Sequence, residues 1–96
     1  MRVGRGQEND LVIPERWASH EHAEIICRDA FTSQAERPTY FLRDKSRNGT
    51  HILRPNAHWQ IIHHQEVPLQ SGIKLKFGSP NGQTLEFIIE VSEPLD

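Results

Sequence analysis

Apolar residues in this chain recur at every second position, and no window sustains the spacing of an amphipathic helix. Ala23, Ile25 and Cys27 alternate with Glu24, Ile26 and Arg28. Tyr40, Leu42 and Asp44 share one face, with Phe41 and Arg43 on the other. Trp59 and Ile61 alternate with Gln60 and Ile62, and Ile73, Leu75 and Phe77 with Lys74 and Lys76. Leu85, Phe87, Ile89 and Val91 alternate with Thr84, Glu86, Ile88 and Glu90. Period two means pleated backbone, because successive side chains on a strand point to opposite faces. Turn residues punctuate the runs: Pro14, Pro38, Pro55-Asn56, Ser71-Gly72 and Ser79-Pro80-Asn81-Gly82, the last joining the final two strands as a hairpin. Short strands at this spacing predict an all-β fold, an antiparallel β-sandwich of many short strands with no long helix. Leu42, Ile25, Leu75, Phe77, Leu85, Phe87 and Ile89 are its expected core. Residues 28–38, from Arg28 to Pro38, read as a mobile loop.

The chain of 96 residues is expected to form a single domain over 1–96. Its net charge of −2 disfavours a nucleic-acid partner. No segment reaches the length of a membrane-spanning helix, so no membrane partner is expected. Cys27 is the only cysteine, which rules out an intrachain disulfide, and no signal peptide is visible. A cytoplasmic setting is the expectation that follows.

Three polar stretches exceed what a connection needs. Lys45-Ser46-Arg47-Asn48-Gly49-Thr50 sits between two extended segments and holds two cations, two hydroxyls and a carboxamide. Such a loop can give an anion several hydrogen bonds. Gly4-Arg5-Gly6 sets a guanidinium between two glycines, where its planar fork can reach two phosphate oxygens. Ser19-His20-Glu21-His22 brings a hydroxyl and two imidazoles up to an apolar strand. The three loops are expected to meet at one end of the sandwich.

Enzymatic readings find little support. Ser19 lacks a nucleophile elbow, and no glycine-rich loop leads into a helix. Cys27 alternates with Ile25 and Ala23 and reads as a core thiol. His20 and His22 would share a face in an extended segment, but no second cluster with ligand spacing accompanies them or the His63-His64 pair. Neither a metal nor a cofactor is expected. His22 reads as a buried or half-buried imidazole that hydrogen-bonds backbone and braces a loop. Trp17 and Trp59 read as packing residues.

The ordered set Gly4-Arg5, then Ser19-x-x-His22-Ala23, then Tyr40-x-Leu42-x-Asp44-x-Ser46-x-Asn48-Gly49-Thr50 resembles the forkhead-associated (FHA) domain. Leu69-x-x-Gly72 followed by Leu75-x-Phe77-Gly78 resembles that family's closing strand signature, with Ile73 in place of its usual acidic residue. The resemblance covers almost the whole chain. It implies a non-enzymatic sandwich that binds phosphothreonine peptides through loops at one end. Arg5 and Ser19 would hold the phosphate, with His20 and Arg47 adding to it, and Asn48 would hold the peptide backbone. Gly4, His22 and Gly49 would shape the loops. The alternatives are a degenerate module that binds its partner without phosphate and a small metal-dependent hydrolase using the histidines. The family usually carries one more strand ahead of Gly4-Arg5, where only Met1, Arg2 and Val3 stand here. Its absence would leave the last strand, residues 84–91, with a bare edge. That edge is expected to pair with a second copy in a homodimer, or to be covered by the tail or by the 28–38 loop.

Overall fold

Two β-sheets packed face to face take up the alternating runs, over the residues that the computed structural model describes, 1–28 and 39–89. Among these residues no helix forms, and none is long and apolar enough to cross a membrane. The strands are β1 (Arg2–Gly4), β2 (Leu11–Val12), β3 (Ala23–Arg28), β4 (Thr39–Asp44), β5 (Thr50–Leu53), β6 (Gln60–Ile62), β7 (Glu66–Leu69), β8 (Ile73–Phe77) and β9 (Leu85–Phe87). One sheet runs β2-β1-β3-β4-β7 and the other β6-β5-β8-β9. Every pairing is antiparallel except β1 with β2. The 79–82 turn closes with Gly82 N–H donating to the Ser79 carbonyl at 3.0 Å and joins β8 to β9.

The core lies between the sheets. Val3, Ala23, Leu42 and Leu69 from one sheet meet Ile52, Ile62, Ile73, Leu75 and Phe77 from the other. Each large aliphatic or aromatic side chain so buried contributes about 1.5–3 kcal/mol. The register Ile25↔Leu42 and Ile52↔Leu75 follows from the alternation, since a slip of one residue would turn each apolar set to solvent. On the outer face Glu66 pairs with Arg43 at 2.9 Å and with Arg28, tying β7 to β4 and β3. These exposed pairs set register more than stability.

Several expectations need correction. Leu42, Leu75 and Phe77 are buried, but Ile25, Leu85, Phe87 and Ile89 are only half-buried. Cys27 is exposed rather than a core thiol. Ile25, Cys27, Leu85 and Phe87 line an open apolar groove together with Tyr40, which leaves them partly reachable by solvent. Trp59 is 39% exposed and carries the Lys76 ammonium 4.6 Å above its ring, so it packs on the surface. β1 and β7 were not anticipated as strands. β7 contains Pro68, which lacks an N–H and is tolerated because β7 is an edge strand. The expected last strand, 84–91, is shorter among the described residues, where β9 ends at Phe87. Most of the expected loop at 28–38, the tail and the residues beyond 89 lie outside the described residues.

Candidate functional site

The three polar loops meet, and backbone hydrogen bonds hold them together. Arg5 N–H donates to the Ser19 carbonyl at 2.9 Å and Gly6 N–H to the His20 carbonyl at 3.1 Å. The Asn9 carboxamide, buried beneath this turn, donates to the carbonyls of Gly6 and His20, both at 2.8 Å. The approach is so close that a Cβ on Gly4 would stand 2.2 Å from the His20 carbonyl oxygen. Only glycine lets β1 lie against the 19–22 loop in this way.

The 45–50 loop is hung on Asp44. Period two along β4 sends Asp44 inward behind Leu42, and it is 2% exposed. A buried carboxylate must be hydrogen-bonded. Oδ1 accepts from the hydroxyls of Ser46 at 2.8 Å and Thr50 at 2.7 Å. Oδ2 accepts from the N–H groups of Ser46 at 3.1 Å and His64 at 3.0 Å. Ser46 Oγ in turn accepts from Gly49 N–H at 2.7 Å, closing the turn over φ +88° at Gly49. The hydroxyls that made this loop look ready for an anion are therefore spent inside it.

His22 joins two of the loops. It is fully buried, with its ring edge-on to Phe77 at 5.4 Å between centroids. Nδ1 accepts from Ser19 N–H at 3.0 Å, so the ring proton sits on Nε2, which donates to the Gly49 carbonyl at 2.9 Å. Gly78 N–H also donates to that carbonyl, at 3.0 Å. Burial pushes the His22 imidazole below its ordinary range, outweighing the Gly49 hydrogen bond and the Asp44 charge, which act the other way. With both nitrogens engaged and the ring neutral, His22 has no lone pair left for a metal. His20 points away and contacts Glu8 at 2.8 Å. These two histidines are not a ligand pair.

Above this framework lies a depression of about 300 Å³ lined by Arg5, Arg16, Trp17, Ala18, Ser19, His20, Arg47 and Asn48. All five candidate ligand-contacting residues, Arg5, Ser19, His20, Arg47 and Asn48, are on its wall. Gly4, His22 and Gly49 lie behind it. Ser19 Oγ accepts from Arg47 N–H at 3.0 Å, which leaves its own proton to donate outward. The Asn48 carboxamide donates to the Trp17 carbonyl at 2.9 Å and keeps its oxygen and second N–H. Lys45 does not join them. Its ammonium lies 3.9 Å from Glu24 instead. Arg16 and Trp17 were missed as wall residues. They sit in a polar loop with no motif, and only the loop's path brings them here. Among the described residues, Arg5, Arg16 and Arg47 make no ion pair, and no carboxylate lines the depression.

A family profile described as FHA domain matches residues 1–78. No curated protein matches the sequence. Among solved structures, the chain is similar to the MEK1 FHA domain in complex with a HOP1 phosphothreonine peptide, at 23% identity and TM-score 0.71, covering 95% of this chain and 80% of that one. A second MEK1 FHA domain structure gives 24% identity and TM-score 0.70, covering 94% and 70%. A third, from work on phosphothreonine-dependent FHA domain interactions, gives 29% identity and TM-score 0.54, covering 80% of this chain and 66% of that one.

Proposed function

Because this chain belongs to the FHA domain family, a family of recognition modules, we propose that it binds phosphothreonine peptides in the depression walled by Arg5, Ser19, Arg47 and Asn48. The observation that carries this reading is the depression itself: three arginines without a carboxylate partner beside an outward-facing serine hydroxyl. A phosphothreonine brings nearly two negative charges and three acceptor oxygens. The Arg5 fork and Ser19 Oγ would take the phosphate, with Arg47 and His20 at its margin. Asn48 would use its free carboxamide groups on the peptide backbone. The phosphothreonine peptide bound by one neighbour and the phosphothreonine-dependent interactions of another support the same reading. The function is reversible association in phosphorylation-dependent signalling, in a cytoplasmic setting, with no chemical step.

Titration with a phosphothreonine peptide library and its unphosphorylated counterpart tests it. Hydrogen bonds to a charged group are worth roughly 1.5–3 kcal/mol each, so a few of them, less ordering costs, give affinity on the order of micromolar. Arg5→Ala is expected to lose about 2 kcal/mol or more, a factor of about 30. Arg5→Lys should also weaken binding, because the planar fork is lost. Equal affinity for phosphorylated and unphosphorylated peptides, or unchanged affinity in Arg5→Ala, would leave only a phosphate-independent module.

The same reading includes a second copy of the chain as a partner. β9 pairs with β8 on one side, and no described strand pairs with the other. Strand addition at that edge would cover half-buried Leu85 and Phe87. Light scattering across a concentration series should show a dimer; a monomer at every concentration removes this partner.

A further inference from the structure

The 63–65 connection between β6 and β7 breaks the alternation of its neighbours. Continued period two would send the side chains of His63 and His64 to opposite sides. His64 instead takes φ 53°, a left-handed conformation that non-glycine residues seldom adopt. Both imidazoles consequently turn the same way, with ring centroids 4.3 Å apart. Nε2 of His63 lies 3.0 Å and Nε2 of His64 2.8 Å from one acceptor, the Ser46 carbonyl oxygen. Asp44 is close by: one nitrogen from each ring and one Asp44 carboxylate oxygen all lie within 4.8 Å of one another.

We propose that His63, His64 and Asp44 form a binding site for a divalent transition-metal ion of the zinc class. Two imidazoles and a carboxylate match the borderline softness of such an ion, with water completing the coordination. Magnesium and calcium prefer all-oxygen shells and fit poorly. Each Asp44 oxygen already accepts two hydrogen bonds, from Ser46, Thr50 and His64, so an ion gains the carboxylate by displacing one of these donors. Both rings share one carbonyl, so bringing both to the ion frees a single acceptor, the Ser46 carbonyl oxygen, whose lost pairing the metal bonds must offset. His63 and His64 are exposed, so an ion can enter. None of the three residues lines the peptide depression, so this site stands apart from the phosphopeptide reading. It lies at the root of the 45–50 loop, and an ion there would hold Asp44 and the 63–65 connection together.

Chelator-treated, dialysed protein titrated with zinc chloride by calorimetry, with thermal unfolding in parallel, tests the site. One equivalent should bind, and saturating zinc should raise Tm by about 5 °C or more, since a ligand that binds only the folded state stabilises it. Magnesium should leave Tm unchanged. His63→Ala and His64→Ala should each lose tenfold or more in zinc affinity, while His58→Ala, an exposed histidine outside the cluster, should keep it. Cobalt(II) in place of zinc should give visible d–d absorption that disappears in both variants. Equal zinc affinity in wild type and in the His63→Ala, His64→Ala double variant would overturn the proposal.

Discussion

Replacing Asp44 with alanine should cost roughly 3–4 kcal/mol of stability and loosen the segment that carries Arg47 and Asn48. Four donors converge on this one carboxylate: the Ser46 and Thr50 hydroxyls and the Ser46 and His64 N–H groups. A buried donor left without a partner costs about 1–3 kcal/mol. The hydroxyls can rotate to other acceptors and the N–H groups cannot, so the total falls short of the sum. For a domain of this size the loss corresponds to a fall in Tm of more than about 12 °C. Urea unfolding reads it directly as a lower midpoint with an unchanged slope. Asp44→Asn should fall between, because it keeps one acceptor oxygen but turns an NH2 group toward donors. Wild-type stability in Asp44→Ala would mean that the loop is held by its ends rather than by this carboxylate.

His22→Ala should cost about 3 kcal/mol. It removes both ends of the bridge between the Ser19 N–H and the Gly49 carbonyl and opens a cavity beside Phe77. Loss of peptide binding should follow the loss of stability. Full thermal stability with binding lost would instead make His22 a ligand contact. The same imidazole gives stability a pH dependence of definite sign. Its folded pKa is lowered by burial, so the unfolded chain takes up the proton first as pH falls. Its contribution is complete above the ordinary value of 6.5 and is lost progressively below it. Burial, and then the charge of Lys76, move His51 in the same direction. Thermal unfolding between pH 7.5 and about 5 should therefore show a falling Tm. The fall should be shallower, though not abolished, in His22→Ala.

Alternation located the long strands because it is written in adjacent residues; β8 and the second half of β4 follow it in burial, while β3 is graded from buried Ala23 to exposed Arg28. It missed β1, too short to show a period, and β7, where Pro68 argues against a strand unless its edge position is known. It put Cys27 in the core, yet Cys27 is exposed and lines an open apolar groove, because how fully a strand's end is covered depends on long-range packing. The family motif named the wall of the depression through Arg5, Ser19 and Asn48. What polar composition could not tell was direction. Ser46 and Thr50 looked like anion donors until Asp44 turned out to be buried behind them. Asp44 sharing a face with Leu42 was the available signal. Nothing local announces the left-handed His64 that aligns two imidazoles.

The imbalance of charge around the depression would also bear on the speed of the proposed recognition. The chain is net negative by two charges, yet Arg5, Arg16 and Arg47 crowd one small area with no counter-charge among its lining residues. Such an area projects an attractive field toward a doubly charged phosphate. A phosphorylated segment would be drawn in from solution faster than its neutral counterpart, in the orientation that presents the phosphate first. Screening shortens the reach of that field to about 8 Å at physiological ionic strength, so added salt should slow capture first. How long the captured segment stays depends on the close hydrogen bonds, which salt affects much less.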